Sequence, residues 1–409
     1  MPPSLLWMSP ALAGGGYSSE AISFAQGLVP LFKNKFGMRQ FAEQANEDFA
    51  AGLPGNQTKL VKRAMRRGDG MRAVDVVVCH SPPDAWVPSL YPGWDAVAPC
   101  PPPGARYAVG RTMYETDGVP PEWVARCNAL DEVWVPTDFH AATFAAAGVP
   151  SSKLRVVGEA IDAEGLFDPG KHSRPLELGG DAAAAPFRFL SVFKWERRKG
   201  WDALLAAYFA EFGADEAVEL LLKTRPFHSD DDFDEKIDAF ATERGLGATR
   251  PAVRVLDSEL PLELLPRLYR TADAFVLPSR GEGWGRPHVE AMAMGLPVIA
   301  TNWSGPTAFL DESVGYPLEY TLGPAPDDSE STRGHQWAEP SVPELRRLMR
   351  RVFEHRDEAR RRGARARERM LREYSPSALA DTVLAEATRL VQAAPSARAR
   401  SRRGARDEL

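Results

Sequence analysis

Glu282 and Glu290 stand with seven residues between them, and the stretch Ser279-Arg-Gly-Glu-Gly-Trp-Gly285 around the first holds three glycines. Gly283 and Gly285 let the backbone approach a ligand closely. A helix starting behind them would offer unpaired N–H groups and the positive end of its dipole, which suits a diphosphate. A carboxylate beside a diphosphate repels it. The useful work for the two glutamates is therefore to accept hydrogen bonds from hydroxyls, those of a sugar or a ribose. A glycine-rich turn with two solvated acids has the same composition. Lys194 and Lys199 follow an apolar run and could neutralise a diphosphate leaving group. A basic surface turn is the plainer alternative.

The neighbouring patterns supply elements to hold these residues. Ala274 to Leu277 has strand length and ends at Pro278, and Pro287 suits a first helical turn. Val289, Met292 and Ala293 fall at helical spacing, Gly295 is placed to stop the helix, and Leu296 to Ala300 is the next buried strand. This is a βαβ unit, whose loop lies where open α/β sheets bind ligands. Upstream, Phe187–Val192 predicts a strand ahead of Lys194 and Lys199, and Trp201–Phe209 the helix after it. Val218–Lys223 predicts another strand, with Lys223 at its end, and Leu262–Tyr269 the helix before the glycine loop. Asn302 to Thr307 is a second loop at a strand end, carrying Thr307.

The N-terminal part opens the same way. Leu5–Met8 is a short apolar run, Gly14-Gly15-Gly16 follows, and Ser19–Phe32 has helical spacing. Val74–Cys79 is a buried strand leading to His80, which either faces a cleft or sits in the core. Tyr107–Tyr114 runs into an acidic loop with Glu115 and Asp117. Residues 33–72 show no clear pattern beyond a basic helical run from Lys59 to Arg67, read as a solvated face. The acids at 229–235 suit a helix start, 322–335 reads as a polar loop, and Glu344–Tyr374 as one long Arg-rich helix. A final helix spans Ala378–Val391.

With 409 residues, 44% of them hydrophobic and 26% charged, the chain suggests two or three ordinary globular domains. A net charge of -6 gives no footprint for nucleic acid, and no apolar run is long enough for a transmembrane segment. Cys79, Cys100 and Cys127 lack metal spacing and read as structural thiols of a reducing compartment, hence a cytoplasmic protein. The first residues do not read as a signal peptide. The closing Arg406-Asp-Glu-Leu409 is close to an ER-retrieval tetrapeptide, so the ER lumen is the alternative if the true start lies upstream.

The segment from Glu282 to Ala300, Glu-Gly-Trp-Gly-Arg-Pro-His-Val-Glu-Ala-Met-Ala-Met-Gly-Leu-Pro-Val-Ile-Ala, resembles the signature of retaining glycosyltransferases of the glycogen-synthase-like "group 1" superfamily, family 4-type, with its EX7E motif. The resemblance implies a GT-B fold: two facing Rossmann-like α/β domains and a C-terminal helix crossing back to the first. It places an acceptor-binding domain at 1–170, a nucleotide-sugar-binding domain at 187–374 and the crossover helix at 375–393; the Pro-, Gly- and Ala-rich composition marks the linker at 171–186, and the Arg/Ser-rich composition a disordered tail at 394–409. The resemblance implies that Glu282 contacts the transferred sugar, Glu290 holds the ribose, and Lys194 and Lys199 meet the diphosphate. Gly283, Trp284, Gly285, Lys223, Thr307, Gly15 and Gly16 become donor-side candidates. Glu115, Asp117 and His80 become acceptor-side ones. Three positions depart from the family pattern: Lys194 replaces an Arg, Glu115 or Asp117 stands near a usual His, and Ala308 replaces a frequent acid. The implied activity is a metal-independent, cofactor-free hexosyltransferase. It uses a nucleotide-sugar donor and a glycan, lipid or small-molecule acceptor. The alternative is a catalytically weak nucleotide-sugar-binding regulator.

Overall fold

Runs of β-branched, aromatic and aliphatic residues build two separate parallel sheets in the computed structural model, which describes residues 1–91, 99–172, 174–178, 186–226, 232–246, 249–326 and 331–393. The chain divides into two compact units, Met1–Ile161 together with the segment from Glu373 onwards, and Asp162–Asp327 with Gly334–Arg372; Ser331–Arg333 belongs with the first.

The first unit contains β1 (Leu5–Ser9), α1 (Gly16–Phe32), β2 (Phe36–Gln40), α2 (Glu47–Ala51), α3 (Gly55–Gly70), β3 (Val74–His80), β4 (Ala105–Arg111), α4 (Pro121–Asn128), β5 (Glu132–Val135), α5 (Asp138–Ala146) and β6 (Leu154–Val156). The strands run parallel in the order β2-β1-β3-β4-β5-β6. Side chains alternate across a strand, so Val76 and Val78 enter one core with Trp7, Phe24 and Trp134, while Val77 and Cys79 enter the other with Trp86, Val133 and Phe144. Burial on both faces explains why β3 reads as an unbroken apolar run. β2 was hidden in the unpatterned stretch because Gly37 and Arg39 interrupt its apolar residues, although Phe36 and Met38 are buried. The cysteines require a correction. Cys79 and Cys100 form a disulfide, with Cα atoms 5.7 Å apart, and of the three only Cys127 is a free thiol.

The second unit contains β7 (Phe187–Val192), α6 (Trp201–Glu211), β8 (Val218–Lys223), α7 (Phe233–Thr242), β9 (Ala252–Leu256), α8 (Leu265–Tyr269), β10 (Ala274–Leu277), α9 (Arg286–Ala293), β11 (Val298–Thr301), β12 (Tyr316–Leu318), β13 (Tyr320–Pro324), β14 (Gln336–Pro340), α10 (Val342–Glu354) and α11 (Arg356–Glu373). Its parallel sheet has the order β12-β11-β10-β7-β8-β9. That is the doubly wound order, reversing between β7 and β10, where such sheets bind ligands beyond the strands' carboxyl ends. Asp232 caps α7 by accepting from the Glu235 amide, so this acid of the 229–235 run serves the helix. Residues 229–231 lie outside the described ones.

Two features of this unit differ from expectation. The polar loop expected at 322–335 overlaps the end of β13 and stops short of β14, and these two strands pair as an antiparallel hairpin whose first strand is mostly exposed and so carries little apolar signal. The expected single Arg-rich helix is two helices, broken at His355 (φ -104°, ψ 54°) without a proline or glycine to mark the break. The chain ends, within the described residues, in α12 (Pro376–Gln392), whose Leu379, Val383, Ala387 and Leu390 share a core with Phe24 and Leu28 of α1. The tail at 394–409, with its Arg-Asp-Glu-Leu, lies outside the described residues. Among the described residues no helix is long and apolar enough to cross a membrane.

Candidate functional site

The loop after β10 is held from both sides. On one side it meets the turn after β7. Gly200 has φ +69°, and a Cβ there would lie 2.0 Å from the Pro278 carbonyl oxygen, so only glycine lets turn and loop touch. The Arg280 amide donates to the Arg198 carbonyl at 2.7 Å, and the Arg198 guanidinium donates to the Gly281 carbonyl at 2.7 Å. The buried Arg280 guanidinium binds both oxygens of Asp202 at 2.8 Å, Glu339 at 2.8 Å and the Arg197 carbonyl at 2.6 Å. On the other side lies the loop after β11. There Ser304 Oγ accepts from the Glu282 amide at 2.9 Å, and the Gly305 amide donates to the Glu282 carbonyl at 3.0 Å. Ser304 sits at φ +56°, a strained conformation for a residue with a side chain. Thr307 is exposed and its hydroxyl donates to the Ser304 carbonyl at 2.6 Å.

This frame fixes the Glu282 carboxylate, 5% exposed, against Lys199 Nζ at 2.9 and 2.8 Å and the Arg198 guanidinium at 3.5 Å. Burial pushes its pKa up, but Lys199, then Arg198 and His288, more than offset this and hold it at about 2. Lys194 is half-buried. Its pKa lies below the ordinary lysine value through burial and then the Arg225 charge, with Lys199 and Arg198 adding and Glu196 opposing. Three cations, Arg225, Lys199 and Arg198, thus act on Lys194 at the ends of β7 and β8. Arg198 and Arg225 escaped the sequence reading, and the signal available was only the basic run Arg197-Arg198-Lys199. Lys223 is engaged elsewhere: its ammonium donates to the carbonyls of Thr224, Leu256 and Ser258 at 3.3, 3.2 and 2.9 Å, fastening the ends of β8 and β9.

Glu290 projects from α9 and is 7% exposed. Burial raises its pKa to about 7, against the opposing charge of Arg286 and a 2.8 Å hydrogen bond from the Tyr269 hydroxyl. Gly283 is buried in the loop, and Gly285 (φ +112°) is the N-cap of α9. Trp284 is buried against Phe309, with ring centroids 5.0 Å apart, so its ring serves packing.

In the first unit, Gly15 caps α1 and Gly16 opens it, both exposed with open space around them. His80 at the end of β3 is fully buried. Trp7 Nε1 donates to its Nδ1 at 2.9 Å, and its Nε2 lies 2.9 Å from Glu20. An indole N–H is only a donor, so Nδ1 is the acceptor and the proton sits on Nε2, given to Glu20. Arg111 closes the cluster at 2.5 Å from the other Glu20 oxygen. Burial keeps His80 neutral, while for Glu20 burial is outweighed by the Arg111 charge and the hydrogen bonds from His80 and Arg111, which hold its pKa below the ordinary carboxylate value. His80 is thus a structural histidine inside a buried network. A mid-helix Glu among apolar residues of α1 was the sequence signal for that network. Glu115 is half-buried and acts on the Tyr17 hydroxyl, whose pKa burial raises; Asp117 is exposed. Among the described residues no group of three or more His, Cys, Asp or Glu could hold a metal ion.

Residues 187–328 match the family described as "Glycosyl transferases group 1". The chain is 32% identical over 170 residues to a D-inositol 3-phosphate glycosyltransferase of Segniliparus rotundus, covering 40% of this chain and 35% of that protein. It is 33% identical over 168 residues to the protein of the same name from Corynebacterium urealyticum, covering 39% and 38%. The matches thus span little more than a third of those relatives' length. Solved structures with a similar fold include HepE of Anabaena in complex with UDP and glucose (TM-score 0.64, 16% identity, 94% of this chain and 99% of that one). Another is the sucrose-phosphate synthase of Thermosynechococcus elongatus (TM-score 0.63, 17% identity, 95% and 99%). Residues 187–328, in the second unit, thus match the glycosyl transferases of group 1, and the chain as a whole has the two-sheet α/β architecture of the GT-B fold.

Proposed function

We propose that this chain is a retaining hexosyltransferase that moves a sugar from a nucleotide-sugar donor to an acceptor hydroxyl without a metal ion or other cofactor. The carrying observation is the Glu282–Lys199 pair, buried in a clamped glycine loop at the switch point of the second sheet. Support comes also from the relatives named as D-inositol 3-phosphate glycosyltransferases and from the UDP held by HepE.

In this reading the second unit binds the donor. Lys194, Lys199 and Arg198 face the growing charge on the diphosphate as the bond between the anomeric carbon and the phosphate oxygen breaks. The acceptor oxygen bonds to the anomeric carbon on the same face, and its proton passes to the departing phosphate oxygen. Glu282 accepts from hydroxyls of the transferred sugar, and Glu290 from those of the ribose. The first unit, with Glu115, takes the acceptor. Charge neutralisation by side chains makes a metal unnecessary. The cytoplasmic assignment rested on three thiols, and the Cys79–Cys100 bond removes that support, since a lasting structural disulfide favours oxidising surroundings.

The test is a panel of UDP-, GDP- and ADP-sugars in EDTA, read by thermal shift and nucleotide release. One donor should stabilise the wild type and release nucleotide, and Lys199→Ala and Glu282→Ala should each lose release about 100-fold or more. A donor that stabilises the protein yet releases nothing with any acceptor class would favour a binding regulator.

A further inference from the structure

We infer that Tyr269 is a positioning residue, which holds the Glu290 carboxylate ready for the donor's ribose. This rests on the proposed function and deepens it.

Tyr269 closes α8, one strand ahead of the glycine loop, and is fully buried between Phe167 and Phe275, whose rings lie 6.2 and 6.1 Å from its own. Its hydroxyl lies 2.8 Å from Glu290 Oε2 and 3.3 Å from the Pro287 carbonyl. A phenol has one proton to give. The shorter, charge-assisted contact takes it. The ring is fully buried and in contact with two aromatic neighbours, so the donated bond fixes the direction of a flexible acid side chain. Among the described residues the Glu290 carboxylate accepts no other hydrogen bond. Oε1 and the second lone pair of Oε2 therefore remain for a partner, and the residue retains 7% of its surface exposed. Two adjacent hydroxyls, as on a ribose, match one carboxylate with its direction fixed.

The charged and titratable groups acting on Glu290 are Arg286, one helical turn earlier on α9, and Tyr269 from α8. Tyr269 donates to the ionised form and so favours it over the neutral acid. An ionised carboxylate is also the better acceptor for ribose hydroxyls. Nucleotide affinity should then rise with pH as Glu290 ionises. Loss of the tyrosine hydroxyl should move that rise to higher pH.

The experiment is calorimetric titration of UDP, GDP and ADP, and of inorganic pyrophosphate, into wild type, Tyr269→Phe and Glu290→Gln from pH 5.5 to 8.5. The expected result with the nucleotide that binds is a loss of about tenfold in Y269F at neutral pH. With the ionisation of the diphosphate itself taken from the pyrophosphate titration, its remaining pH midpoint should lie above that of the wild type, and E290Q should keep only the pH dependence that pyrophosphate shows. Pyrophosphate, which has no ribose, should bind all three proteins equally and so reports a folded diphosphate site. If a nucleotide binds the wild type and Y269F matches it in affinity and midpoint, the role assigned to Tyr269 is wrong while the proposed function stands. A Y269F that loses pyrophosphate and nucleotide alike would show a merely structural tyrosine and also overturn the inference. If no nucleotide binds the wild type, the proposed function falls and this inference with it.

Discussion

Glu282 and Glu290 are both buried acids, yet their surroundings push them in opposite directions, to about 2 and about 7. The signs give separate stability predictions. Glu282 is depressed below its ordinary 4.5, so its contribution is present above that value and is lost as pH falls toward 2. Glu290 is raised above 4.5, so its contribution is full below that value and is lost as pH rises through about 7. Glu290→Gln should therefore gain stability relative to wild type between pH 5 and pH 8, read as urea midpoints at the two pH values. A constant difference would contradict the raised pKa. Glu282→Gln should abolish transfer while leaving nucleoside diphosphate affinity equal or higher, because it frees the Lys199 ammonium; equilibrium binding beside a release assay separates the two. The glutamates and Lys199 were legible in the sequence because glycines and spacing mark them. Tyr269 and Arg198 were not, because a tyrosine in an apolar helix and an arginine in a basic run look like core and surface. Only the fold shows that one meets Glu290 and the other the Gly281 carbonyl.

At the level of elements, the site depends on close contact between the β7 turn and the β10 loop. Gly200→Ala forces a Cβ toward the Pro278 oxygen at a positive φ. It should cost about 1–3 kcal/mol of stability and weaken nucleotide binding, since Arg198 and Lys199 ride on that turn; a thermal melt and a titration check both. An unchanged affinity would show that the turn does not position the cations. The strands that form the site, β7 and β10, were readable because strands buried on both faces are apolar throughout. β2, the β13–β14 hairpin and the helix break at His355 were not. Their signals are diluted by Gly37 and Arg39, by exposed strand residues, or by the lack of any breaker residue.

For the whole molecule, the second unit carries the family match at 187–328, while the first is recognised by fold alone. The disulfide lies in the first unit and closes a loop with a sequence separation of 21. Its removal by Cys79→Ser with Cys100→Ser should cost about 3 kcal/mol of stability and leave nucleotide binding in the second unit unchanged, as denaturant melts and titrations would show. Spacing could not reveal that pair, because the partners meet only once β3 and the loop ending at Cys100 are folded together. The measurement that bears most directly on the proposed site is calorimetric titration of UDP, GDP and ADP in EDTA into wild type and a Lys194→Ala, Lys199→Ala double variant. Binding of one nucleotide by the wild type, weakened about 100-fold or more in the double variant, is the expected result. Equal affinity in both proteins, or binding of none of the three, would contradict a diphosphate site at the ends of β7 and β10.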